Sequence, residues 1–340
     1  MKAIVLDKTG SSDVLQVTDV AQPQPTPDEI LIKVKYSAIN YADILSRQGL
    51  YSWSVKRPYI MGLEAAGEVV EIGANVPKDM IQIGDRVVFG GQNGGYAEYL
   101  TIHKDYILPA PDNYNWKETA AFGVVFFTSW VAMHEMARVR SGETLLVHSA
   151  AGGVGTAAIQ LGVAHGMDVY GTASTAEKRK RVEELGATTA FSYDTFDSEM
   201  LARDIRPNCV LETVGGEVYT KSFELLAPMG RVVLIGASSI KLNKWNPWSW
   251  YKAWKALPKA KMSGVLRRSR GFMGVHLGYL LAKPDILRPS WDRMLEVIEQ
   301  HDIHPEIRDD HIFPMTQAGK AHDFINSRQN IGKVLLDPTK

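Results

Sequence analysis

The stretch Thr144-Leu-Leu-Val-His-Ser-Ala-Ala-Gly-Gly-Val-Gly-Thr-Ala-Ala-Ile-Gln-Leu161 reads as a buried strand, a glycine-rich turn and a helix, and it decides the fold. Its spacing, Ala150-x-Gly152-x-x-Gly155, is the G-x-G-x-x-G dinucleotide fingerprint with alanine first. The middle glycine lets backbone approach a pyrophosphate, and the last lets the helix pack closely on the strand. Phosphate then sits on the free N–H groups of a helix N-terminus, where the macrodipole favours negative charge. Glycines at this spacing also join strands to helices for purely steric reasons, so the flanking sequence has to carry the assignment.

That flanking sequence alternates strand and helix patterns. Asp168 to Ala173 reads as a strand, and Ser174-Thr-Ala-Glu177 as a capping box opening a helix that runs to Leu185 and stops at Gly186. A strand over Ala187 to Tyr193, a helix around Ser198 to Ile205, a strand over Cys209 to Val214, a helix from Glu217 to Leu226 and a strand over Arg231 to Gly236 follow. Five strands with intervening helices predict an α/β fold with a central doubly wound parallel sheet, a Rossmann domain.

The end of the second strand selects the cofactor. An NAD site places Asp or Glu about 20 residues after the glycines to hold the ribose 2′-hydroxyl. Here Gly171-Thr172-Ala173-Ser174 stands instead, the next acid, Glu177, falls inside the helix, and Lys178, Arg179, Lys180 and Arg181 follow. A neutral strand end with hydroxyls from Thr172 and Ser174 and a cation in the first helical turn, Lys178, suits a 2′-phosphate, so NADPH is the expected cofactor. Arg179 to Arg181 read as the solvated face of the helix.

At 340 residues, 45% hydrophobic and with zero formal net charge, the chain can bury a sizeable core and is expected to hold two domains. Met1 to Asp7 reads as a strand, because acid interrupts the apolar run that a signal peptide needs. Ala120 to Met133 is the most apolar stretch, but it contains Thr128 and Ser129 and falls short of the ~20 residues of a spanning helix; it reads as a buried interdomain helix. A cytoplasmic location is expected. The single cysteine, Cys209, permits no intramolecular disulfide and no thiolate zinc site. His301 and His304 form the only H-x-x-H pair, without a further ligand set, so no metal site is predicted. Upstream, Pro23-Gln-Pro-Thr-Pro27 leads into short strands at Glu29–Ile39, Gly67–Gly73, Asp85–Phe89 and Tyr96–Ile102, a compact β-rich region.

The order of motifs resembles a known family. Asn40-Tyr-Ala-Asp43, Arg47-Gln-Gly-Leu-Tyr51, Met61-Gly-Leu-Glu64, Ile83-Gly-Asp-Arg-Val87, Gly95-Tyr-Ala-Glu-Tyr99, Ala150 to Gly155 and Asn330-Ile-Gly-Lys-Val-Leu-Leu336 resemble the medium-chain dehydrogenase/reductase superfamily over nearly the whole chain. The nearest resemblance is to its zinc-independent quinone oxidoreductase branch, and Gly271-Phe-Met-Gly-Val-His-Leu-Gly-Tyr279 looks like the vesicle-amine-transport-protein subgroup. The resemblance implies a GroES-like catalytic domain of residues 1–121 and 287–340 around a Rossmann NADPH-binding domain of residues 122–286, and a homodimer pairing Rossmann edge strands. Where the zinc relatives carry Gly-His-Glu, this chain has Gly62-Leu63-Glu64. Without a Lewis acid, the feasible chemistry is reduction of an acceptor that takes electrons easily: a quinone, or alternatively the double bond of an enone, enal or enoyl thioester.

By the same resemblance, Tyr51 is the candidate proton donor, with an aromatic lid residue as its alternative role, and Tyr41 lines the pocket. Asn40 lies near the nicotinamide ribose and Asp43 fixes the local turn. Thr128 lies near the pyrophosphate and the nicotinamide side; Gly152, Gly153, Val154 and Gly155 cradle phosphate. Ser174, Lys178 and Tyr193 surround the adenosine 2′-phosphate, Gly236 and Phe272 approach the nicotinamide, and Asn330 with Lys333 close the site. Each also has an ordinary structural reading, such as Asn330 as the turn residue before a last strand.

One stretch does not fit a plain reductase. Lys241 to Arg270 holds six lysines and three arginines and no acid, a local charge of +9, together with Trp245, Trp248, Trp250 and Trp254. Rings and cations together suit an anionic membrane surface, so the Trp/Lys-rich insert 241–270 raises a second class of function: an NADPH-binding, membrane-surface-associated protein with weak or no catalysis. A flap over the entrance or the dimer is the plainer reading. No motif accompanies the charge that would indicate nucleic acid.

Overall fold

The strand that precedes the glycine turn, Thr144–Val147, lies at the centre of a six-stranded sheet in the computed structural model, which describes residues 1–239, 248, 249, 251, 255, 262–281 and 283–340. Its neighbours are Asp168–Thr172 and then Thr189–Phe191 on one side, and Cys209–Glu212, Arg231–Leu234 and Gly271–Gly274 on the other, all parallel. Leu145, Leu146, Val147, Cys209, Val210 and Leu211 are buried, as strands covered on both faces require. The strand order reverses between Thr144–Val147 and Cys209–Glu212, which is where a doubly wound sheet binds ligand, beyond its strand carboxyl ends. Five of the six strands are those expected. The sixth, Gly271–Gly274, carries glycine at both ends and no apolar run, and only its pairing with Arg231–Leu234 makes it a strand.

The chain divides into two compact units: Met1–Val124 with Gly278–Leu295 and His304–Lys340, and Val125–Leu277 with Glu296–Ile303. In the first, the long strand Glu29–Ile39 pairs antiparallel with Glu64–Ile72, Tyr99–His103 and the C-terminal strand Lys333–Asp337. Val334 stands opposite Ile39, so both ends of the chain share one seven-stranded sheet, completed by Ile307–Pro314, Arg86–Gly90 and Leu108–Pro109. Alternate residues Ile30, Ile32 and Val34 pack with Val69, Val87 and Leu100 into one of its cores. This is the β-rich, GroES-like architecture.

Among the described residues no helix is long and apolar enough to cross a membrane. Most of the 241–270 insert, including Trp245, Trp250 and Trp254, lies outside the described residues. Trp248 is described; it is 66% exposed and stacks on Tyr251 with centroids 5.3 Å apart.

Candidate active site

The glycine turn is built from backbone. Ser149 takes a left-handed conformation (φ 52°), Gly152 N–H donates to Ser149 C=O at 2.9 Å, and Ala150 N–H donates to Thr172 C=O at 3.0 Å. Side chains are excluded inside it: a Cβ on Gly155 would fall 2.4 Å from Ser149 O and 2.6 Å from Ala150 Cα. A Cβ on Gly152 would meet only Ser149 O, at 3.3 Å, so that glycine keeps its outer side clear rather than making room within the fold. The helix Gly153–Ala164 starts there with no side-chain cap. Its first N–H groups, at Gly153, Val154 and Gly155, have no intrahelical acceptor and carry the positive end of the helix dipole. A cradle open on one side and lined by uncapped N–H groups fits a pyrophosphate.

Around the turn the side chains do not all stand as expected. Thr172 is fully buried, and its hydroxyl lies 2.8 Å from His148 Nδ1. The Ser222 hydroxyl donates to Val218 O at 2.7 Å and stands 2.6 Å from His148 Nε2, so Nε2 carries the imidazole hydrogen and Thr172 donates to Nδ1. Burial pushes His148 down to about 3 and keeps it neutral. Thr172 therefore serves the interior, and Ser174 is an exposed hydroxyl of this loop. The helix cap is Thr175, not Ser174: Thr175 Oγ1 accepts from Lys178 N at 3.2 Å, ahead of the helix Ala176–Glu184. Tyr193 reaches the turn itself, its hydroxyl accepting from Ser149 N at 2.9 Å. Thr128 is buried on the helix Trp116–Trp130, and its neighbour Ser129 donates to Val154 O at 3.0 Å. Gly236 follows the strand Arg231–Leu234, and Phe272, 40% exposed, sets its ring edge-on to Tyr219 at 5.9 Å. Glu212 is a group the sequence reading missed. It accepts from Val214 N and Gly215 N at 2.6 and 2.9 Å, and burial outweighs those bonds to push it up to about 7.

In the β-rich unit a second constellation forms around Asn40. Its N–H donates to Asp43 Oδ2 at 2.8 Å at the start of the helix Tyr41–Gln48. Asn40 Nδ2 donates to Glu64 Oε2 at 3.0 Å, and its Oδ1 accepts from Lys333 Nζ at 2.6 Å. Lys333 closes the ring by pairing with Glu64 at 2.8 Å, and Val124 N donates to Glu64 Oε1 at 2.7 Å. Lys333 is 3% exposed and Glu64 0%. Asp43 also accepts from Leu63 N at 3.1 Å, yet burial pushes it up to about 7. Tyr51 is half-buried; burial, with Asp43 and Tyr279 nearby, pushes its phenol up to about 12. Its ring meets Trp53 edge-on at 6.5 Å. Tyr41 is 41% exposed at the first turn of its helix. Asn330 turns its amide onto Gly332 O at 2.9 Å, as a turn residue does.

Among the described residues no donor set fits a zinc ion. Cys209 is fully buried in its strand, where burial pushes the thiol up to about 12. Among the described residues no three His, Cys, Asp or Glu side chains converge.

Two family models match: one described as zinc-binding dehydrogenase over residues 153–289, the other as alcohol dehydrogenase GroES-like domain over residues 26–112. The chain is 32% identical to the mouse (Mus musculus) synaptic vesicle membrane protein VAT-1 homolog over 345 residues, covering 99% of this chain and 84% of the relative. The chain belongs to the medium-chain dehydrogenase/reductase superfamily. Within that superfamily it is also 30% identical to mouse quinone oxidoreductase, covering 99% of this chain and 97% of the relative. The crystal structure of Escherichia coli quinone oxidoreductase complexed with NADPH superposes with a TM-score of 0.86 at 26% identity, over 99% of this chain and 100% of that one. Superfamily membership accounts for the presence of both a GroES-like unit and a Rossmann unit.

Proposed function

We propose that this chain is a zinc-independent oxidoreductase that uses NADPH to reduce quinones or related activated acceptors. The observation that carries the reading is the end of the second Rossmann strand, where Ala173 and Ser174 stand in place of an acid and Lys178 follows in the first turn of the next helix. An acid there would hold a ribose 2′-hydroxyl and repel a 2′-phosphate. The bound NADPH of the E. coli relative supports the same choice. Gly152, Gly153, Val154 and Gly155 would hold the pyrophosphate, with Ser174, Lys178 and Tyr193 at the adenosine end. Asn40, Thr128, Gly236, Phe272, Asn330 and Lys333 are proposed for the nicotinamide side.

NADPH supplies a hydride when bound. Reduction of a quinone or of an enone β-carbon leaves negative charge on oxygen, and donor groups have to meet it. Tyr51 is the proposed donor. A phenol held at about 12 stays protonated through neutral pH, so it offers its hydrogen bond at once and releases its proton fully only to an oxygen more basic than itself. Lys333 and Glu64 together fix both ends of the Asn40 amide. Tyr41 would line the acceptor site. A homodimer is proposed through Gly271–Gly274, which stands at the sheet edge, since pairing would cover an adhesive edge. A membrane-surface role for 241–270 keeps its charge and the exposed Trp248 as support; binding to anionic and not neutral vesicles would be its mark.

The test is loss of reduced-nicotinamide absorbance against a panel of quinones, enones, enals and enoyl thioesters. The expected result is turnover with NADPH in preference to NADH, with quinones best and Tyr51→Phe lowering kcat by about 10²-fold. Enones ahead of quinones would select double-bond reduction, and no turnover with any acceptor would overturn the enzyme reading.

A further inference from the structure

Lys178, Arg179, Lys180 and Arg181 follow one another in sequence, and the structure separates them. Arg181 pairs with Glu184 at 3.1 Å, and Lys180 lies 3.9 Å from the same carboxylate. These are ordinary i,i+3 and i,i+4 pairs on a solvated helix face. Arg179 is turned away from them. Its Nη1 donates to Ala173 O at 3.3 Å and to Ser174 O at 3.4 Å, and among the described residues it has no carboxylate partner.

One guanidinium nitrogen is thus spent on the loop, and two are left. Among the described residues Nε and Nη2 make no hydrogen bond. They form the edge with which arginine takes a phosphate through two parallel bonds. The carbonyls that anchor Nη1 belong to Ala173 and Ser174, the residues standing where an NAD site keeps its acid. The exposed Ser174 hydroxyl and the half-buried Lys178 belong to the same turn. A guanidinium pinned there, with a free fork and no internal counter-charge, matches a dianionic phosphate monoester. Arginine also holds its charge and its fork geometry in a way that lysine does not.

We infer that Arg179 is a specificity-determining residue that, with Lys178, binds the 2′-phosphate of the dinucleotide. The assignment rests on the NADPH reading above and moves Arg179 out of the solvated face to which the sequence pattern consigned it. Lys180 and Arg181 stay there.

The test is titration of the full chain with adenosine 2′,5′-bisphosphate and with AMP, which share adenosine and the 5′-phosphate and differ in the 2′-phosphate. The unmodified protein should bind the bisphosphate more tightly. Arg179→Ala should weaken the bisphosphate about tenfold or more and leave AMP within about twofold. Arg179→Lys should recover part of the loss, and Arg181→Ala should change neither ligand. A bisphosphate preference retained in full by Arg179→Ala, or lost equally in Arg181→Ala, would overturn the assignment alone. Equal affinity of the unmodified protein for both ligands would overturn the NADPH reading as well. Circular dichroism of each variant checks that the helix Ala176–Glu184 is intact, so a loss confined to the bisphosphate is read as loss of the contact.

Discussion

In the Rossmann unit the groups proposed for the ligand are largely backbone, the N–H groups of Gly153, Val154 and Gly155, contributed by three consecutive residues. In the β-rich unit they are side chains drawn from far apart, Asn40 meeting Lys333 across 293 residues of sequence. The first kind of site depends on what is missing, a Cβ; the second depends on charges that neutralise one another out of water. They should therefore fail differently, the first by steric exclusion and the second by leaving a buried charge alone.

The largest effect is expected from Gly155→Val. Its Cβ would lie 2.4 Å from Ser149 O, so the turn must move; nucleotide affinity should fall more than about 100-fold, with a stability loss of about 1–3 kcal/mol. Calorimetric titration and thermal unfolding check both, and retained affinity would show that the cradle is looser than its geometry.

In the other unit, Lys333→Met strips Glu64 of its ammonium while Val124 N–H and Asn40 Nδ2 remain. An uncompensated buried charge costs about 3–5 kcal/mol. Adding Glu64→Gln should recover more than half of it in urea unfolding, whereas additive losses would mean that the two residues are not coupled.

A subtler difference lies in pH. Each unit buries a carboxyl and an imidazole whose shifts oppose each other. Asp43 and Glu212 are pushed up from 3.8 and 4.5 to about 7, so their stabilisation is complete below the unfolded values and is lost as pH rises towards 7. His322 and His148 are pushed down from 6.5 to about 3, so theirs is complete above 6.5 and is lost as pH falls towards 3. Between about pH 5 and 6 these contributions nearly cancel, and Asp43→Asn should tip the balance, making stability rise by about 1 kcal/mol per pH unit. A slope no different from the unmodified protein would show that Asp43 is already ionised when folded.

The smallest effect belongs to Thr175→Ala. Losing the cap on Lys178 N should cost about 1 kcal/mol by the same unfolding measurement and leave AMP binding unchanged. A loss of AMP affinity would tie the cap to the adenosine end of the site.

Legibility followed the same division. Thr144–Val147, the glycine turn and the helix Gly153–Ala164 were readable because their signals are local: apolar runs, glycine spacing and helix periodicity. The strand Gly271–Gly274 was not, since its four residues carry no such signal and are made a strand by pairing with Arg231–Leu234. The cap on the helix Ala176–Glu184 was misplaced by one residue, because Ser174 and Thr175 are both good caps and only the fold chose between them.

By itself the sequence determined a doubly wound sheet and a β-rich unit, a glycine turn and a neutral, cation-flanked second strand end, because each is encoded largely in local stretches of chain. The tertiary structure decided that Thr172 faces His148, that Lys333 and Glu64 clamp Asn40, and that Arg179 turns towards the loop. Those outcomes depend on which distant group compensates a buried hydrogen bond or charge, and that pairing is fixed only when the chain closes on itself.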